Sequence, residues 1–230
     1  MIWDFALHKQ LRHEERRFDL NVACRSDAHR LVLFGPSGAG KTLTLKMIAG
    51  LLQPDRGHAR ITGDTLFDSA SSVDLSPKAR RLAYVFQDYA LFPHLTVRQN
   101  IAFALRTGLR NPPRHAEHAE VDRWLKAFSL HAMDQLYPHQ LSGGQKQRTA
   151  LARALVAQPR ALLLDEPFAA LDKALRQSLR RELAELQAEL KIPMLLITHD
   201  EDDIAMLADE VIHVAAGRVV SEADAQGAEA

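Results

Sequence analysis
Eight residues constrain this chain more than any others: Gly35-Pro36-Ser37-Gly38-Ala39-Gly40-Lys41-Thr42, a full match to G-x-x-x-x-G-K-[ST]. Glycines allow the backbone conformations that turn successive N–H groups inward, making a nest for anionic oxygens. The apolar run Leu31–Phe34 leads into the loop, and Lys41–Leu52 follows with Leu45, Ile48 and Leu52 at helical spacing. Strand, loop and helix form the context the pattern needs, and the helix N-terminus adds roughly half a positive charge. Before that context is counted, such a match arises by chance in about one chain per hundred of this size. The loop predicts a phosphate site in which Lys41 reaches the β- and γ-phosphates and the Thr42 hydroxyl ligates Mg²⁺.

Two carboxylates, Asp165 and Glu166, stand where the apolar strand Ala161–Asp165 runs out, and ligands of open α/β sheets sit at that edge. Asp165 is placed to hold Mg²⁺ and Glu166 to polarise an attacking water. His199 follows another buried strand, Met194–Thr198, and can reach a γ-phosphate or its water. Gln87 closes the strand Leu82–Phe86, where its amide oxygen can complete the Mg²⁺ shell.

The remaining pattern agrees with an α/β chain. Ile2–Leu7 and Arg17–Cys24 alternate as half-buried antiparallel strands do. Pro54-Asp55-Arg56-Gly57 is a turn signal, and Asp88 to Ala154 reads as helical with breakers at Pro93, Pro112, Pro113 and Pro138. Val121, Trp124, Leu125 and Phe128 make one apolar face, and Phe92, Phe103 and Trp124 are expected to pack the helical segment. Leu175, Leu179, Leu183, Leu186 and Leu190 form a long stripe, beside which Arg176, Arg180, Arg181, Glu182 and Glu185 read as an exposed face with local ion pairs. Glu210–Val220 is expected to be a hairpin turning at Ala216-Gly217, and the tail 221–230 to be disordered. Apolar strands alternating with helices predict a doubly wound sheet.

Composition bounds the function. Lys+Arg and Asp+Glu are 29 each, so global charge gives no reason to expect nucleic acid. The one cysteine, Cys24, excludes an internal disulfide and is expected to be packing. The early acid in Met1-Ile2-Trp3-Asp4 argues against a secretion signal, and no apolar run approaches the ~20 residues that span a bilayer. His115 and His118 share a helix face without further donors and are read as solvated.

The pentapeptide Leu141-Ser142-Gly143-Gly144-Gln145 lies far from both other motifs in sequence, and Ser-Gly-Gly at a helix start is an anion site. With it, the chain resembles the ATP-binding subunit of an ABC transporter from about Ile2 to Val220, with every motif in the family's order. The resemblance implies a P-loop NTPase (RecA-like) core over 1–87 and 155–220, an antiparallel β subdomain, and an inserted α-helical subdomain over 88–154. Gly35–Thr42 then resembles the Walker A loop, Gln87 the Q-loop glutamine, and Leu162–Glu166 the Walker B strand with Glu166 the catalytic glutamate. Ala170-Leu171-Asp172 resembles the D-loop and His199 the switch histidine. It also implies head-to-tail pairing with a second ATPase subunit, expected to be an identical copy, with a heterodimer left open. There Ser142, Gly143, Gly144, Gln145 and Asp172 face the ATP and Mg²⁺ held by the partner's loop.

The family's adenine-stacking aromatic is missing from Gln10-Leu11-Arg12-His13-Glu14. Arg12, His13 or Phe18 is left to serve, and ATP and GTP both stay open as the base. Leu66–Leu75, Arg80–Asp88 and Leu91–Val97 resemble molybdate importer ATPases, with sulfate, iron and polyamine importers sharing much of the likeness. The resemblance implies a position on the cytoplasmic face of the membrane, an integral permease whose coupling helix meets Tyr89, Leu91, Phe92 and Pro93, and a solute-binding protein. The chain's length leads us to expect no C-terminal oxyanion-sensing domain. A soluble ABC ATPase acting on DNA or ribosomes is the rival. It is disfavoured by the single module and by the gap of about a hundred residues between phosphate loop and pentapeptide. A nucleotide-gated scaffold without turnover is disfavoured by the set Lys41, Gln87, Glu166 and His199.

Overall fold
The computed structural model describes the chain except for Glu14, Glu15, Thr107, Leu109, Ala116, Ala170, Glu222 and residues 224–230. The tail expectation therefore falls almost wholly outside the described residues.

Leu31, Val32 and Leu33 have no polar face to turn outward, so this strand is buried on both sides, as parallel strands are. It is β3 (Arg30–Phe34), and it pairs in parallel with β9 (Met194–Thr198) and β10 (Glu210–Ala215). Outward from β9 lie β8 (Ala161–Asp165) and β7 (Leu82–Val85), also parallel. On the other side a meander of β1 (Trp3–His13), β2 (Arg16–Ser26), β4 (Arg56–Ile61), β5 (Asp64–Asp68) and β6 (Val73–Asp74) is antiparallel. The hairpin of β10 and β11 (Arg218–Val220) joins the two parts, giving one sheet of 11 strands ordered β6-β5-β4-β1-β2-β11-β10-β3-β9-β8-β7. The α/β class, with a parallel core and an antiparallel flank, is as read from the sequence.

Helix α1 (Lys41–Ala49) follows the glycine loop and stops at Gly50 in the left-handed conformation (φ 77°), three residues short of the sequence expectation. Arg80 explains the stop. Its guanidinium lies where a Cβ on residue 50 would come within 2.7 Å, and it donates to the C-terminal carbonyls of Met47 and Ile48. Arg80 belongs to the short helix α2 (Pro77–Arg80).

Among the described residues the segment read as helical holds three α-helices: α3 (Val97–Phe103), α4 (Ala119–Ala127) and α5 (Gly143–Leu155). Pro138 opens a 3-10 turn just before α5. Val121, Trp124, Leu125 and Phe128 are all buried, in the cluster that also holds Val32, Leu162 and Leu164 of the sheet. Phe103 is exposed and leans on Phe92 with ring centroids 4.3 Å apart, so it does not pack the interior as expected. The opposite sheet face rests on α1 and the meander, where Cys24 is buried and burial pushes its thiol up to about 12. Other boundaries move in the same way. The first two strands run to 11 residues each because they pair with one another over their whole length. Arg56 and Gly57 start β4 rather than a turn, and β7 ends at Val85, two residues before Gln87.

Helices α6 (Lys173–Leu190) and α7 (Glu201–Leu207) complete the chain. The expected exposed face of α6 holds for Arg181 and Glu185 but fails at Arg180. Arg180 is fully buried and, with Arg176, pairs with acids of the α7 end, while Glu182 pairs with Arg148 of α5. Among the described residues no helix is long and apolar enough to cross a membrane.

Candidate nucleotide site
Register brings the site together. Phe34 pairs with Thr198, Asp165 with Ile197, and Val85 with Leu164, so the chain leaves β3, β9, β8 and β7 at one edge. Gly35, His199, Glu166 and Gln87 emerge there from four distant parts of the sequence. A cavity of about 320 Å³ opens at that edge, lined by Ser37 to Leu43, Gln87, Glu166, Leu11 and Phe18.

The loop needs its glycines. A Cβ on Gly35 (φ 150°) would lie 2.0 Å from the Val214 carbonyl oxygen, and one on Gly40 (φ 100°) 2.7 Å from Leu20. The Lys41 ammonium is buried and donates to the carbonyls of Gly35 (2.5 Å) and Pro36 (2.8 Å). Burial pulls its pKa below the ordinary 10.5, against the opposing pull of Glu166 and Asp165. Held by carbonyls and by no direct carboxylate contact among the described residues, this cation keeps its charge for a phosphate in the loop.

Asp165 is buried and gripped at both oxygens. The Thr42 hydroxyl donates to Oδ1 and the Tyr84 hydroxyl to Oδ2, each at 2.8 Å. Burial first, and then the Asp165 charge, push the Tyr84 hydroxyl well above its ordinary 10. Sequence reading missed Tyr84; the signal was its position opposite Leu163 in the parallel pair β7–β8.

Glu166 keeps the ladder through its N–H to the Ile197 carbonyl (3.1 Å) but takes a left-handed backbone, φ 46°. That conformation is costly for a residue with a side chain. Here it turns the carboxylate toward the cavity, where Oε2 lies 3.4 Å from Nδ1 of the exposed His199. Hydroxyl, carboxylate and amide oxygens at Thr42, Asp165 and Gln87 are hard donors. They suit Mg²⁺, which keeps waters and phosphate oxygens in its shell. Among the described residues no group of three or more His, Cys, Asp or Glu is arranged to hold a metal ion.

The pentapeptide stands apart. Ser142 caps α5 in a reciprocal box: its hydroxyl accepts from the Gln145 N–H (3.3 Å), and Gln145 Oε1 accepts from the Ser142 N–H (2.8 Å). A Cβ on Gly143 or Gly144 would come within 2.9 Å of Leu171 or Leu175, so small residues let α5 approach α6. Neither these four residues nor Asp172, the exposed N-cap of α6, lines the cavity. Of the three candidates for the base, Phe18 lines it, Arg12 is exposed and bonded to Gln10, and the His13 side chain lies outside the described residues. The segment after Gln87 is anchored by Arg153 of α5, which donates to the carbonyls of Tyr89 (2.8 Å) and Ala90 (2.7 Å).

Comparison with known proteins agrees with this geometry. Residues 19–169 match the family model described as ABC transporter. The chain is 40% identical over 215 residues to the molybdenum import ATP-binding protein ModC of Paramagnetospirillum magneticum, covering 94% of this chain and 58% of that protein. It is 45% identical over 205 residues to the sulfate/thiosulfate import ATP-binding protein CysA of Caulobacter vibrioides, covering 88% and 58%. Against the molybdate/tungstate import ATP-binding protein WtpC of Archaeoglobus fulgidus it is 44% identical over 216 residues, covering 93% and 85%. The chain thus spans a little over half the length of the ModC and CysA relatives. Among solved structures it is similar to the dimeric ATP-binding cassette MJ0796 bound to ADP and Pi. There the TM-score is 0.77 at 28% identity, covering 96% of this chain and 97% of the other.

Proposed function
Because this chain belongs to the ABC transporter family, we propose that it is the Mg²⁺-dependent ATPase subunit of an importer and drives a separate integral permease. The carried solute in this reading is molybdate or a similar oxyanion. One observation carries the ATPase reading: Lys41, Thr42, Gln87 and Glu166 line one cavity at the end of a parallel sheet, with Asp165 bonded to Thr42 and His199 paired with Glu166.

Each group has a task. Gly35, Pro36, Ser37, Gly38, Ala39 and Gly40 supply the loop backbone for the β- and γ-phosphates, and Lys41 neutralises them. Thr42, Asp165 and Gln87 would hold Mg²⁺, which would draw charge from the bridging phosphate oxygens. Glu166 orients and deprotonates the attacking water, and His199 faces the same water or the γ-phosphate. Phe18 stacks on the base in place of the aromatic absent from Gln10–Glu14.

A second copy completes the site. Ser142, Gly143, Gly144, Gln145 and Asp172 lie outside their own chain's cavity, and the helix start at Ser142 is an N–H-rich end suited to anions. In a head-to-tail pair these groups close over the partner's γ-phosphate, and loss of that link after hydrolysis reopens the pair. The dimeric state of the MJ0796 cassette supports this arrangement. Leu91, Phe92 and Pro93 form the permease contact in this reading, on the cytoplasmic membrane face and with a solute-binding protein in the assembly, whereas Tyr89, expected to share it, is buried in the core. The relatives named for molybdate, tungstate, sulfate and thiosulfate import support an oxyanion, and the CysA similarity keeps sulfate as a second reading.

Phosphate release with and without Mg²⁺ tests the ATPase reading. Absence of turnover by the chain paired with its co-purified membrane protein would reject it. The solute is tested by the uptake lost on deletion, with molybdate and sulfate as separate arms.

A further inference from the structure
Glu166 and His199 are delivered by different strands, and their relative position depends on what joins the two loops beyond the strand ends. The Arg176 guanidinium does so through hydrogen bonds. Arg176 Nη2 donates to the Leu171 carbonyl (3.1 Å), in the turn that starts at Glu166, and its Nη1 donates to Asp200 Oδ2 (2.7 Å), the residue after His199.

A second arginine fixes the His199 side more deeply. Arg180 Nη2 reaches the same Asp200 oxygen (2.6 Å), and its Nε reaches Asp203 Oδ1 (2.5 Å). Asp203 also accepts from the Thr198 hydroxyl, whose oxygen in turn accepts the Asp200 N–H at 3.0 Å. Residues on both sides of His199 are therefore held from outside, while the His199 side chain stays 59% exposed. Burial alone would hold the Asp200 carboxyl up, yet hydrogen bonds led by the one from Arg176 keep it below its ordinary range. Arg180 and Asp203 form the buried half of this network, and Arg180 also lies over the Phe168 ring of the Glu166 turn at 5.9 Å; among the described residues Arg176, half-exposed, is the side chain that hydrogen-bonds to both loops.

We infer that Arg176 is a positioning residue that sets the spacing of Glu166 and His199 across the candidate water site. It does not line the cavity. It acts by tying the Glu166 turn to the His199 turn through α6. The inference rests on the ATPase reading above, because only a reacting water between the two side chains makes their spacing matter.

Arg176→Met keeps the apolar stem and removes the two-armed fork. Displacement of a reacting group by about 1 Å can cost about 100-fold in rate, so kcat is expected to fall about 10- to 100-fold with little change in KM or Tm. Arg176→Lys, which can serve one arm, should lie between. In the background of His199→Ala the same Arg176→Met should cost almost nothing more. Amide hydrogen exchange should rise together in the segments after Glu166 and after His199. A folded Arg176→Met with kcat within about twofold of the wild type, or a loss that adds in full to that of His199→Ala, overturns the inference. Wild-type protein that releases no phosphate rejects the ATPase reading instead. In that event unchanged exchange in both segments overturns the bracket on its own, and a joint rise supports it.

Discussion

Tyr84→Phe removes a single oxygen from a buried site and leaves the ring, which stands tilted against Phe86 with centroids 4.4 Å apart, in place. The lost hydroxyl donates to Asp165 Oδ2 at 2.8 Å, and Asp165 is only 5% exposed, so water cannot readily replace it. A hydrogen bond to a charged group contributes about 1.5–3 kcal/mol, and the deprived carboxylate keeps its desolvation cost. Unfolding by urea should therefore show a loss of about 2 kcal/mol. A second effect is chemical. With Oδ2 released, Oδ1 is no longer aimed at Thr42, and groups of this outer kind typically cost about 10- to 100-fold in metal affinity or activity when removed. Half-saturating Mg²⁺ should rise by that order in phosphate-release assays and in Mg²⁺-dependent nucleotide binding. In Asp165→Ala protein the further change Tyr84→Phe should do almost nothing. Stability within about 0.5 kcal/mol of wild type, with an unchanged Mg²⁺ requirement, would refute the two-handed grip on Asp165.

Three further perturbations probe other parts of the chain. Glu166→Gln should slow phosphate release about 10²- to 10⁴-fold while equilibrium nucleotide binding persists; near-normal turnover removes Glu166 from the role of base. Arg80→Met removes one donor each from the carbonyls of Met47, Ile48 and Leu75 and from the half-exposed Asp74 carboxylate. It should cost about 2–3 kcal/mol in urea unfolding through the carbonyls left short of a partner, and a loss below about 1 kcal/mol would show that water fills the gap. Asp209 is held below its ordinary 3.8 first by hydrogen bonding from Arg30. Its contribution is thus present above that value and disappears as pH falls through the depressed one. Asp209→Asn should cost up to about 1 kcal/mol at neutral pH and nothing at strongly acid pH; equal losses at both would contradict the linkage.

What could be read from residues alone was whatever lies contiguous along the chain. The loop Gly35–Thr42 and the strand end at Asp165 each carry their own context within a dozen residues, so strand, loop and carboxylate were all legible. Groups that pair across the fold were not. Arg176 and Arg180, four apart on a leucine-striped helix, look like a solvated face until Asp200, Asp202 and Asp203 are placed against them. The hint was there: a run of acids at the start of one helix and arginines one turn apart on the helix before it. Tyr84 looked like a strand aromatic because only the β7–β8 pairing puts its hydroxyl over Asp165. Phe18 faces the cavity because it pairs with Leu11 in a hairpin whose register no local pattern specified.

The turn at the start of α6 links these observations into one mechanical argument. Leu171 packs where a side chain on Gly143 would otherwise stand, and Leu175 does the same for Gly144. The carbonyl of Leu171 also receives Arg176, and through Arg176 the turn reaches Asp200 beside His199. In the proposed pair, a phosphate of the partner pulling on the N-terminus of α5 would press those glycines on Leu171 and Leu175. Packed interiors shift as units rather than deform continuously, so that pressure would be felt at Glu166 and His199 together. Filling the contact tests the coupling without touching the chain's own cavity. In mixed pairs, Gly143→Ala on one protomer should change phosphate release at the site formed by that protomer's own Glu166, read with Glu166→Gln silencing the other. An effect confined to the partner's site would leave α5 as a phosphate contact alone and sever it from the bracket built on Arg176.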